Sequence, residues 1–169
     1  MTKRNPAGGA SDGPRRTTTI ERTYKASLDD VWGLWTTKEG IESWWAPDGF
    51  SVEVRSFDAR TGGAVVYAMT ATDPAQVEFV KSAGLPLTTE ARFVYAEVVA
   101  KRRLVLTHRI DFVPGVPPYE VSTAVDFHAS GQDVRVVVTL SAMHDDAWTQ
   151  RAAMGWESQL GKLAKALGA

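Results

Sequence analysis

Cysteine is absent from the 169-residue chain, which excludes disulfides, thiolate metal sites and a cysteine nucleophile. No apolar run approaches the roughly 20 residues that cross a bilayer, so membrane insertion is not expected. Residues 1–16 carry charges but no apolar core, so they do not read as a secretory signal, and a cytoplasmic protein is the expectation. Neither sign of charge dominates. Nineteen basic and twenty acidic side chains leave a formal −1, which argues against a nucleic-acid partner. Histidine is scarce: His108, His128 and His144 are dispersed without ligand spacing, so no metal site is predicted. A Gly-x-Ser-x-Gly elbow is missing. Gly62-Gly63 lacks the lysine and helix start of a phosphate-binding loop. No cofactor is therefore called for, and no nucleophile, metal or phosphate-binding motif points to an enzyme.

What the chain does hold is aromatic side chains: six Trp, six Phe and four Tyr. Each buried ring removes about 150–250 Å² from water, enough to fill a core or to line a hollow. An apolar share of 44% and a charged share of 23% belong to a globular protein. The length fits one domain over 17–169. It is preceded by a Gly-, Pro- and charge-rich flexible tail over 1–16.

Periodicity divides that domain. Thr17 to Ala26 reads as a strand, rich in Thr, Ile and Tyr. Ser27 then stands as an N-cap before Leu28, Val31, Trp32 and Trp35 at helical spacing, and Thr37 caps a second short helix carrying Ile41, Trp44 and Trp45. From Phe50 the period becomes two. Phe50–Phe57 and Ala64–Thr70 form a hairpin, and Ala91–Val99, Arg103–Phe112, Tyr119–Phe127 and Asp133–Ala142 are four more strands. Between hairpin and fourth strand, Asp73-Pro74 opens a helix near 74–83 that Gly84 stops. A final helix from about Asp146 to Leu167 puts Trp148, Ala152, Trp156, Leu160 and Leu163 on one stripe. Gly155 and Gly161 inside it each cost about 1 kcal/mol, which suggests close approach of a neighbouring backbone. The expected fold is α+β: a curved, antiparallel seven-stranded sheet around one long C-terminal helix. Two short helices plug one end, and a cavity lies between sheet and helix.

Five stretches carry a resemblance: Ala26-Ser-Leu-Asp-Asp-Val31-Trp32, Trp44-Trp45-Ala46-Pro47, Asp58-Ala-Arg60-Thr-Gly62-Gly63, Glu97 to Leu104, and Gly155-Trp156 to Leu163. In this order they resemble the SRPBCC superfamily of START-like, helix-grip proteins. The nearer resemblance is to the branch related to the C-terminal domain of the activator of the 90-kilodalton heat-shock chaperone's ATPase. It spans roughly residues 18–167. Among the departures from the family pattern, Ser27 stands where proline is common, Ala46 replaces the turn's glycine and Lys101 replaces a proline. The segment 73–90 is an insertion that reads equally as a lid over the cavity mouth or as a surface elaboration packing Val77, Val80 and Leu85 on the sheet edge. The resemblance implies a hydrophobic small-molecule guest. Some relatives are cyclases or hydrolases, and contact with a chaperone is a further implied partner. An exposed edge strand could also pair two copies into a homodimer.

Trp45, Tyr67, Met69, Phe93, Tyr95, His108, Tyr119 and Trp156 are the candidate ligand-binding residues. Alternation puts His108 on the face of Leu104, Leu106, Ile110 and Phe112, towards the apolar interior. Glu97 and His108 are the candidate catalytic pair. With a tight link at 100–103, Tyr95 lies opposite His108 and Glu97 is its diagonal neighbour, where a carboxylate would orient the imidazole for general base work. In the alternate register Val94 and Val98 face inward and Glu97 is in water.

Overall fold

Capping chemistry fixes where each helix begins. In the computed structural model, which describes residues 16–111 and 113–168, Ser27 Oγ accepts from the Asp30 N–H at 3.0 Å to open α1 (Leu28–Thr36). Thr37 Oγ1 accepts from the Gly40 N–H at 3.0 Å to open α2 (Lys38–Trp44). Asp73 Oδ2 accepts from the Ala75 N–H at 3.1 Å, with Pro74 in the first turn, to open α3 (Pro74–Ser82). Asp145 Oδ1 accepts from the Trp148 N–H at 2.7 Å to open α4 (Asp146–Ala166). The expectations for a tail over 1–16 and for Phe112 fall outside the described residues, Arg16 excepted.

Seven strands accompany these helices: β1 (Thr17–Tyr24), β2 (Phe50–Phe57), β3 (Ala64–Ala71), β4 (Thr88–Val99), β5 (Arg103–Ile110), β6 (Tyr119–Ser130) and β7 (Asp133–Ser141). They form one antiparallel sheet in the order β1-β7-β6-β5-β4-β3-β2, so β1 and β2 are its edges. The sheet curves around α4 as the helix-grip reading expects. In β6, Thr123, Val125 and Phe127 are buried while Glu120 and Ser122 are exposed, the alternation of a sheet covered on one face.

Both sequence registers for β4 turn out to exist, one on each side of a bulge. Phe93 pairs with His108 and Tyr95 with Leu106, but the count then slips and Glu97 pairs with Val105. The extra residue inverts the parity of the strand. Phe93 and Tyr95 are therefore buried upstream, whereas downstream Val98 packs on the core and Glu97 is turned outwards. The tight-link expectation is corrected on this point. Glu97 stays exposed and lies 3.7 Å from Arg103 Nε, and Arg103 also bonds Asp126 at 2.8 and 3.0 Å. The expected pairing of Glu97 with His108 does not form. The link itself places Lys101 at φ 59, a value closed to proline.

Glycine has one strict duty in this region. A Cβ on Gly63 would sit 2.1 Å from the Asp58 carbonyl oxygen, so the hairpin closes only with glycine. Gly155 and Gly161 of α4 differ from expectation: a Cβ on either would meet nothing within 4 Å. No close backbone approach explains them.

Half of the interior is filled by α1, α2 and the C-terminal half of α4. Trp35 stacks on Trp156 with centroids 6.0 Å apart and planes at 10°, and Trp44 and Phe127 meet Trp35 edge-on. Polar groups tie this half down. The Tyr95 hydroxyl donates to Trp35 O at 2.7 Å and the Tyr24 hydroxyl to Leu160 O at 3.0 Å. Gln159 Nε2 and Lys162 Nζ donate to the carbonyls of Trp45 and Ala46.

Candidate functional site

The other half is hollow. A cavity of about 970 Å³ opens between the concave face of β3–β7 and the N-terminal half of α4, at the upper end of the range for small-molecule sites. Tyr67 and Met69 of β3, His108 of β5, Thr123 of β6, and Trp148 and Trp156 of α4 line it. Strand alternation aims the sheet residues inward, and the i, i+4, i+8 spacing of Trp148, Ala152 and Trp156 aims the helix at them.

His108 stands at the boundary between filled and hollow halves. Its ring stacks parallel to Trp45, with centroids 6.3 Å apart and planes at 5°, and it tilts against Phe93 at 5.7 Å. Burial among these rings lowers its pKa from 6.5 to about 4, because desolvation disfavours the imidazolium. The ring is thus neutral at pH 7. Among the described residues neither ring nitrogen has a hydrogen-bond partner, so the imidazole offers one donor and one acceptor to whatever occupies the cavity. Beside it, burial raises the Tyr67 phenol above its usual value, opposed in part by a hydrogen bond from the Trp45 side chain. Tyr67 is held neutral as well.

The structure sorts the eight candidate ligand residues into three places. Tyr67, Met69, His108 and Trp156 line the cavity. Trp45, Phe93 and Tyr95 form the packed wall behind it, at 4%, 1% and 0% exposure. Tyr119 lies elsewhere: its hydroxyl accepts from the His144 backbone N–H at 3.2 Å and shares a 2.6 Å hydrogen bond with His144 Nδ1, fastening β6 to the start of α4. Sequence reasoning missed Thr123 and Trp148, although both stand at the right positions of an apolar strand face and helix stripe. It also missed Arg92 and Arg109, which flank the cavity from β4 and β5; no residue pattern marks them.

The insertion does not cover the cavity, since none of residues 73–87 lines it; Thr89 and Glu90 do, from within β4. Instead α3 buries Val80 and docks on the start of β2, where Gly49 O accepts from the Thr72 and Asp73 N–H groups at 2.8 and 3.1 Å. Leu85 and Phe79 are left 56% and 64% exposed. Among the described residues no group of three His, Asp or Glu side chains could hold a metal ion, and no helix is long and apolar enough to cross a membrane.

A bent antiparallel sheet wrapped around a terminal helix, with a void between them, defines the helix-grip class whose members typically enclose a ligand cavity. Residues 25–168 match the family described as Activator of Hsp90 ATPase homolog 1-like protein, and the chain belongs to that family. Solved structures share the fold. A protein from Chromobacterium violaceum is 22% identical with a TM-score of 0.68, covering 90% of this chain and 97% of that one. A solution structure from Staphylococcus epidermidis is 21% identical with a TM-score of 0.70, covering 92% of each chain. The AHSA1 protein of Silicibacter pomeroyi is 16% identical with a TM-score of 0.69, covering 90% and 98%. No curated protein sequence matches.

Proposed function

We propose that the protein binds a small apolar or aromatic molecule in the cavity between sheet and α4. The observation that carries this reading is the combination of a void of about 970 Å³, walled on one side by Tyr67, Met69, Trp148 and Trp156, with one neutral, unpartnered imidazole. Apolar walls supply affinity in proportion to the area they remove from water, and a few polar groups fix orientation. His108 takes the second task by bonding a hydroxyl or carbonyl of the guest.

Binding is favoured over catalysis by the same imidazole. A ring that gains its proton only near pH 4 is a weak proton acceptor at neutral pH, where a general base works best with a pKa close to the ambient value. Glu97, exposed and beside Arg103, is not placed to correct this.

The test is fluorescence titration with N-phenylnaphthylamine, an uncharged aromatic probe. The native chain should bind it, and Val121→Trp, which fills the cavity opposite His108, should abolish binding while the protein stays folded. Absence of binding by the native chain, or equal binding by the filled variant, overturns the reading.

A further inference from the structure

The cavity is not confined to the concave side of the sheet. Its lining includes Ala91 and Ile110, which share the parity of the inward residues Phe93 and His108, and also Glu90, Arg92 and Arg109, which belong to the opposite parity. Residues of the second set line it on other strands too, at Val66, Ser122 and Ser141, so the place of the opening is read from the strand ladder. Pairing of β4 with β5 stops at Phe93–His108. Beyond that pair β4 stays with β3 as far as Thr88, and β5 stays with β6 as far as Ile110. The two strands are therefore unpaired beyond His108, and residues of both edges line the cavity there; this unpaired stretch is the β4–β5 cleft, with His108 at its apex. Its facing edges carry backbone N–H and C=O groups without a ladder partner, which must be satisfied by water or by a guest.

The charges around this cleft are uneven. Arg92, Arg109 and, from α4, Arg151 line the cavity, against Glu90 and Asp111, in a chain whose formal charge is −1. Asp111 is engaged by Arg109 at 3.5 Å. Arg151 lies over the Trp148 ring at 5.1 Å. Arg92 has no carboxylate within ion-pair distance among the described residues, so its guanidinium is available to an anion. At the apex, the neutral His108 ring can donate to an oxyanion without itself being charged.

We propose that the β4–β5 cleft is the polar end of the guest site, and that it takes the carboxylate of an amphipathic organic acid whose apolar body lies against Tyr67, Met69 and Trp156. This deepens the binding reading above and rests on it. Arg92 and Arg109 hold the carboxylate through charge-assisted hydrogen bonds, with geometry suited to a planar oxyanion. The aromatic wall takes the rest of the molecule out of water.

Two fluorescent probes with one skeleton separate the ideas: dansylaminoundecanoic acid and its methyl ester, titrated beside N-phenylnaphthylamine. The acid should bind roughly tenfold more tightly than the ester, the magnitude of one exposed charged hydrogen bond. Raising ionic strength from about 0.01 to about 1 M, which shortens screening from about 30 to about 3 Å, should shrink that preference. The exposed pair Arg92→Gln/Arg109→Gln should lose the preference while still binding the ester, and Glu90→Gln should increase it. If the ester binds as well as the acid while N-phenylnaphthylamine still binds, the cleft assignment is wrong and the cavity reading stands. A preference that survives in the double glutamine variant also overturns the assignment. If none of the three probes binds, the cavity reading itself fails.

Discussion

The interior has two ends built from the same residue types, and they behave oppositely. Near α1 and α2, Trp35, Trp44, Phe127 and Leu163 fill space completely, at 0–5% exposure, and hydroxyl and amide donors pin the elements together. Towards the start of α4, Tyr67, Met69, Trp148 and Trp156 border a void instead. Aromatic content alone therefore does not distinguish core from binding site. What distinguishes them is supply. Two short helices, with the cap residue Trp45, deliver four indoles to one end, whereas the other end receives side chains from the N-terminal half of α4 alone.

Truncation breaks or confirms this contrast most directly. Trp35→Ala should cost about 3–5 kcal/mol, since the packed end can collapse only partly around the missing ring. Met69→Ala should cost under about 1 kcal/mol, because its side chain already faces open space and removing it creates little new void. Urea denaturation of both variants measures the difference; equal losses would mean the two ends are packed alike.

The acid side of neutrality gives the next largest effect. The unfolded His108 ring accepts a proton near pH 6.5 and the folded ring only near pH 4. The unfolded state therefore binds more protons between those values, and stability falls as pH drops from about 6.5 to about 4, then levels. The loss should reach roughly 3 kcal/mol, less whatever solvent inside the cavity relieves. Subtracting the pH profile of His108→Gln from that of the native chain isolates it. A difference profile flat over this window would place the imidazole in water and erase the boundary between the two ends.

Smallest is the effect of glycine in α4. Open space surrounds the Cβ position of Gly155, so Gly155→Ala should stabilise the fold by about 0.5–1 kcal/mol, read as a raised melting temperature. A lowered one would reveal a close contact over the hollow end.

Much of this was legible in the sequence, for identifiable reasons. The caps Ser27, Thr37 and Asp73 are local, and each does in the structure what its residue type does elsewhere. Period-two alternation located the six strands from Phe50 onward and residue type the first, and the inward face of β5 put His108 on the cavity side. Glu97 was not legible, because a bulge near Ala96 inverts the strand and neither register holds along its whole length. The parting of β4 from β5, which recruits Arg92 and Arg109, depends on how each strand is drawn to its other neighbour. Tyr119 misled for the opposite reason. It obeys the alternation but lies too near the end of β6, where its hydroxyl serves the junction with α4.

Because α4 spans both ends, one helix has two degrees of anchorage. Tyr24, Trp45 and Ala46 grip it from residue 159 onward, whereas Met154 is 71% exposed and the turns before it overlie the void. Amide protons in the first half should therefore exchange with solvent faster than those in the second. A guest in the hollow would slow the first half selectively, so the helix itself records occupancy along its length.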